Sequence, residues 1–355
     1  MIVAFGALTA CGVLLGFDDP PSPPPIAEDG GPARDASGNT SIDAPTDAND
    51  PRSCGVGHRD CLGGGCIAGM CQPFALASNE DEPSGLAVHD GRVFWANHAG
   101  NAIRTCTPPC AVVETLVVTP KPLHVAADAS GVYWSSTDAN VLLHCPLGGC
   151  TSGRILRAGS DNPTSIFLKP PALYMASGDF GDVYACRLDG SGCSAVLTPI
   201  TPLGGVGGIV VSETSVFLAE TGSNAIVWCA TGSTCSPTSS PKRLVTTPKP
   251  LQLSVHEGKI YWTSGGGELG VCAEAGCDAG TVLTSAEIDP VGLAVDATGA
   301  YWTSGAGGTV RSTALTGGPA RVIASGQNDP FTIALDPHGI YWTNRKGGHV
   351  MMVVK

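Results

Sequence analysis

Seven short strands carrying an aromatic or apolar pair recur along this chain and limit its fold more than any other feature. They read RVFWAN (92–97), GVYWSS (131–136), ALYMAS (172–177), SVFLAE (215–220), KIYWTS (259–264), GAYWTS (299–304) and GIYWTN (339–344). The second residue of each pair falls at Trp95, Trp134, Met175, Leu218, Trp262, Trp302 and Trp342, with gaps of 39, 41, 43, 44, 40 and 40 residues. Around them apolar and polar residues alternate with a period of two, and no helical stripe intervenes. A unit of that length and pattern holds four short strands. The expected fold is therefore all-β, a seven-bladed β-propeller of four-stranded antiparallel blades.

Each unit parses alike. In the sixth, VGLAVD is the inner strand, GAYWTS the second, GTVRST the third and ARVIA the outer one. A proline precedes the inner strand at Pro83, Pro122, Pro163, Pro250, Pro290 and Pro330, where no ladder donor is lost. The seventh unit stops at HVMMVVK, after its third strand, while PFALASNEDEP (73–83) aligns with the outer strand and exit of other units. The N-terminal strand at 73–78 is expected to complete the last blade and remove an exposed edge.

Fifteen cysteines accompany the repeat. Cys106/Cys110, Cys145/Cys150, Cys186/Cys193, Cys229/Cys235 and Cys272/Cys277 fall between the third and fourth strands of blades one to five, at spacings of four to seven. Bridging a hairpin neck is sterically feasible, and the pairs read as disulfides formed in an oxidising compartment. The variable spacing on separate blades argues against metal. Cys54, Cys61, Cys66 and Cys71 form a separate glycine-rich module at 53–72. Zinc is the alternative there, with His58 nearby, but spacings of seven, five and five are not those of paired zinc knuckles. Two disulfides are expected, in one of three connectivities.

The fifteenth cysteine lies near the start. Residues 1–17, MIVAFGALTACGVLLGF, are almost wholly apolar, and Leu8-Thr9-Ala10-Cys11 has the form of a lipobox, in which Cys11 would be acylated. No basic residue precedes the run, and it stays apolar past the cysteine. Residues 18–52 are rich in proline, aspartate and small polar residues, too polar to form a core, and read as a disordered spacer. Residues 18–53 hold eight acids against two arginines, half of the net charge of −12. The body is only mildly acidic and has no basic stripe, so nucleic-acid binding is not expected. Membrane contact would come through the N-terminal lipid alone, and the domain is expected to be a monomer.

The YWTS and YWTN strands resemble the second-strand motif of YWTD and NHL-type propellers. The whole unit (proline, apolar-AVD, a glycine before the YWT strand, a cysteine-bridged turn) resembles repeat lipoproteins of myxobacteria-like bacteria, which join a lipobox, an Asp/Pro-rich spacer and a cysteine-rich insert to a propeller. That resemblance implies an exported, outer-membrane or cell-surface lipoprotein facing periplasm or exterior, and it brings no general activity. YWTD propellers have six blades, so their ligand faces do not transfer.

No GxSxG elbow, HExxH, P-loop or EF-hand loop is present. His89, Asp128, Lys169, Ser212, His256, Asp296 and Asp336 each lie six residues before the second aromatic-pair position, where a polar side chain caps the turn between the first two strands. The expected binding face is formed by the loops leading into the inner strands and those joining strands two and three. It carries Asp81, Asp138, Asp161, Asp179, Asp182, Asp289, Asp329 and His349. Carboxylates converging there would suit Ca²⁺, while solvated turn acids are the plainer reading and the preferred one. The function expected is a non-enzymatic scaffold for a protein or glycan ligand. The alternative is a lactonase-like hydrolase or lyase using a metal or acid/base group at the channel mouth.

Overall fold

The computed structural model describes residues 50–55, 58–159, 162–178, 181–197, 205–231, 241–277 and 280–355. Seven four-stranded antiparallel sheets form the blades, and a two-stranded hairpin stands apart. Blade one comprises Pro83–His89, Arg92–Asn97, Ala102–Cys106 and Glu114–Val118, in that order from the centre outward. Blade seven comprises Pro330–Leu335, Gly339–Asn344 and His349–Val354, and its outer strand is Phe74–Ser78 from the start of the domain. Phe74 pairs with Met352 and Ser78 with His349, so the N-terminal strand closes the ring as expected. The inner strands pack against one another in ring order, and that of blade seven meets that of blade one.

The second strands form the packed middle of each blade. Trp95, Trp134, Trp302 and Trp342 are fully buried, as is Met175 in blade three. Each side chain sits between blades: Trp134 of blade two packs in one cluster with Phe94, Ile103 and Leu116 of blade one. Burying a side chain of that size contributes roughly 2–3 kcal/mol, and seven such seams hold the disc.

Each inner strand carries a bulge just after its first residue, as between Pro83 and Leu86 or Pro290 and Leu293. The bulge brings backbones together across the seams. At Gly85 a Cβ would stand 2.3 Å from the carbonyl oxygen of Leu123, and at Gly292 the same distance from that of Phe331. Hydroxyl groups bridge the same seam. Thr303 accepts the amide N–H of Gly292 in its own blade and donates to Phe331 O in the next at 2.6 Å. Thr263 donates likewise to Val291 O, and Thr343 to Ser84 O across the ring closure. Blades one and three carry Ala96 and Ala176 at this position, and there the hydroxyl comes from the inner strand instead. Ser84 donates to Leu123 O at 3.1 Å and Thr164 to Val206 O at 2.9 Å.

All cysteines among the described residues are oxidised. Cys106–Cys110, Cys145–Cys150, Cys186–Cys193 and Cys272–Cys277 bridge the turns between third and outer strands. Cys229 is also disulfide-bonded, while Cys235 lies outside the described residues. In the module the connectivity is Cys54–Cys66 and Cys61–Cys71. Residues 50–52, assigned to the spacer by composition, join the module: Cys61 N–H donates to Pro51 O and Ser53 N–H to Asp50 O. Composition could not show that link, because it is made by backbone groups. The lipobox segment with Cys11 and the spacer before Asp50 lie outside the described residues.

Candidate binding face

The loops that lead into the inner strands share one geometry in all seven blades. The residue just before each inner strand has a left-handed backbone: Glu82 (φ 54°), Lys121 (40°), Asn162 (49°), Gly205 (98°), Lys249 (44°), Asp289 (51°) and Asp329 (59°). Six of these seven are not glycine, and all six precede proline. Such residues resist this conformation, so tertiary hydrogen bonds must hold it. They are visible. The carbonyl of each accepts an N–H from the loop after strand two: His98, Thr137, Gly178, Thr221, Gly265, Gly305 and Arg345, at 2.8–3.3 Å. On the other side, Asn101, Asn140 and Asn224 of the preceding blades accept the N–H groups of Lys121, Asn162 and Lys249.

The result is a rim of fixed backbone that carries five residue types at seven positions. Glu82, Lys249 and Asp289 are exposed, while Lys121, Asn162 and Asp329 are half-buried. In ring order the acids Asp289, Asp329 and Glu82 occupy consecutive blades six, seven and one, and the lysines stand on blades two and five. These seven positions are therefore acidic on blades six, seven and one and basic on blades two and five.

Among the expected site residues, only Asp289 and Asp329 are brought to one spot by the described contacts. A methyl group on Gly305 would lie 2.7 Å from Asp289 Oδ2 and 3.5 Å from Asp329 Oδ1. Asp289 Oδ2 accepts the Ala306 N–H at 3.0 Å. Asp329 Oδ2 takes Arg345 Nε at 3.0 Å and Lys346 Nζ at 3.6 Å. Two cations of the chain thus already face Asp329, which suits a loop support better than a Ca²⁺ ligand. Asp81 and Asp138 are exposed on blades one and two, and Asp182 is half-buried on blade three. His349 stands at the top of the third strand of blade seven, paired with Asn344 and Ser78 and set back from the inner rim. Asp161 and Asp179 lie outside the described residues.

Inner strands line a cavity of about 70 Å³, with His124, Gln252, Phe331 and Thr332 among its walls. Burial lowers the His124 pKa to about 4, against the opposing effect of a hydrogen bond with the backbone of Thr164. The imidazole is neutral at physiological pH. On the opposite face the turn caps take the expected form in four blades. Asp128, Asp296 and Asp336 accept the N–H groups of Ser130, Thr298 and His338, and Ser212 accepts that of Thr214.

Sequence reading missed the partners of the tryptophans. Trp95 Nε1 donates to Glu80, Trp134 to Thr119, Trp262 to Thr247, Trp302 to Glu287 and Trp342 to Gln327, each acceptor fifteen residues earlier. The constant offset to a polar residue was the available signal. Glu80, in the loop before blade one, is thereby buried in the seam and stands apart from the face.

No protein-family model matches the chain, and no curated protein sequence does. Solved structures match its fold across most of its length. Virginiamycin B lyase from Staphylococcus aureus is similar with a TM-score of 0.66 and 15% identity over 80% of this chain and 98% of that one. The WD40 β-propeller domain of Doa1 gives 0.63 and 13% over 79% and 94%. YCF48 from Cyanidioschyzon merolae gives 0.61 and 11% over 80% and 98%. Identities this low establish the propeller and nothing of its chemistry.

Proposed function

We propose that the chain is a binding scaffold of the cell envelope, held to a membrane through Cys11 and presenting the rim of its propeller to a protein or glycan ligand. One observation carries the reading. Seven equivalent rim positions share backbone conformation and hydrogen bonding but carry glutamate, lysine, asparagine, glycine and aspartate. A rigid frame that leaves its side chains free to differ is the arrangement a recognition surface needs. The oxidised cysteines support export, since such bonds persist outside the reducing cytosol.

The test is rim-dependent capture. The full chain is applied to a glycan array and to envelope proteins from the same cells. The expected result is a ligand lost with Asp289→Lys and Glu82→Lys but kept with Asp90→Lys, a change at a turn on the opposite face. Absence of any rim-dependent ligand contradicts the scaffold reading. Virginiamycin B and simple lactones are incubated with the chain in parallel, because a lyase shares the fold; turnover would replace the scaffold with an enzyme. The tether is tested separately. Cys11→Ser is expected to move the protein from the membrane to the soluble fraction, and unchanged retention would refute lipidation.

A further inference from the structure

Where the ring closes, the sevenfold repeat is broken on the face opposite the rim. In blades one, two, three and five a disulfide-bridged turn joins the third strand to the outer one. Blade seven has no such turn, because its third strand ends at Val354 and its outer strand arrives from the module at Phe74. The space left between the module, blade seven and the unstapled turn of blade six is a cavity of about 530 Å³. A second hollow of about 320 Å³ shares Thr298, Tyr301, Ser312 and Arg321 with it and extends it under the blade-six turn. The volume falls in the range of small-molecule sites.

Its walls divide by chemistry. Ile323, Ile340 and Val353 supply an apolar floor. Met70 of the module and Val322 of blade six line it while remaining 54% and 56% exposed, and Ile67, paired with Met70, is 62% exposed. Large apolar side chains are thus left open to solvent around one cavity, which is the usual mark of an interaction site. Three cations line the same cavity: Arg59, Arg321 and Lys355. Lys355 Nζ is met by Asp296 Oδ2 at 2.5 Å. Neither Arg59 nor Arg321 has an ion-pair partner among the described residues, and both are exposed. Guanidinium groups on the edge of an apolar pocket suit a ligand with an anionic end, which they can bind through paired N–H donors.

We propose that this cavity binds a small amphiphile with an apolar body and an anionic end. The site is independent of the rim and of the scaffold reading. The probe is sodium dodecanoate below its micelle-forming concentration, titrated calorimetrically into the full chain. One saturable site is expected. Arg59→Gln and Arg321→Gln should each weaken it about tenfold, and dodecanol, which has no charge, should bind at least about tenfold more weakly. Circular dichroism of both variants should match the parent, because the two side chains are exposed. Asp289→Lys, on the opposite face, should leave dodecanoate binding unchanged while removing any rim ligand. Absence of saturable binding overturns the proposal. So does binding that neither arginine variant weakens or that dodecanol matches.

Discussion

Trp302 donates its indole N–H to Glu287, which lies fifteen residues earlier on the connection from blade five. The same carboxylate takes Arg311 Nη1 at 2.6 Å, and Arg311 is the cross-strand partner of Trp302. Blade one repeats the triad with Trp95, Glu80 and Arg104. Where the acceptor is Thr119 or Gln327 instead, the residue opposite the tryptophan is Leu143 or Met351. Glutamate and arginine therefore occur together or not at all, as a buried charge requires. Glu287→Ala should destabilise the domain by roughly 3 kcal/mol and Glu287→Gln by about 1 kcal/mol, read from urea denaturation. Arg311→Met should recover part of the loss in the alanine background. Additive effects of the two changes would contradict the coupling.

Thr343 ties the last blade to the first. It accepts the Thr332 N–H at 3.2 Å and donates to Ser84 O at 2.9 Å. Valine keeps the shape and removes both bonds, leaving buried backbone groups unpaired. Thr343→Val should cost about 1–3 kcal/mol, whereas Thr298→Val, at an exposed turn, should cost less than about 1 kcal/mol. Equal effects would show that the hydroxyl bridge does not hold the seam.

Closure by Phe74–Ser78 is testable by truncation. A chain beginning at Pro73 should keep a cooperative unfolding transition. One beginning at Asp81 loses the outer strand of blade seven and also Glu80, the partner of Trp95 and Arg104. It should melt far lower or aggregate. Matching melting curves for the two would contradict the closure.

His124 makes stability depend on pH. Its folded pKa is lowered by burial to about 4 from 6.5, so between those values the unfolded chain binds a proton that the folded chain does not. Stability therefore falls as pH drops from 6.5 to 4, by at most roughly 3 kcal/mol. His124→Gln, the residue that blade five carries at Gln252, should flatten that part of the curve. An unchanged slope would place its origin elsewhere.

The rim can be altered without harming the frame. Lys121→Gly removes a side chain from a left-handed position and should change stability by less than about 1 kcal/mol, in the stabilising direction where strain is relieved. Lys121→Val should destabilise by more, since a β-branched residue resists that conformation. The ordering of the two melting temperatures is the check.

Blade count, tryptophan placement, ring closure and the four cysteine-bridged turns among the described residues were legible because each rests on local alternation repeated at a fixed period. The rim was not. Glu82, Lys121 and Lys249 have no intrinsic preference for positive φ, and the proline after each suggests extended backbone. Their conformation comes from N–H groups about sixteen residues later in the chain, which no local pattern displays. The role of Thr263, Thr303 and Thr343 was hidden in the same way. The YWT strands showed a recurring threonine, but its acceptor belongs to the next blade. The expected face rests on loop position alone, and the fold spreads its six described residues over blades one, two, three, six and seven.

The hydrogen bond from Thr343 to Ser84 spans 259 residues of chain. A stacked array of repeats loses stability one unit at a time when an end is removed. A circle has no end unit to lose. A ribosome that stops before Pro330 leaves blade one without its neighbour as surely as it omits blade seven. Loss of the first or the last strand of the propeller is therefore felt at the same seam, and Phe74–Ser78 and His349–Val354 are mechanically a single place.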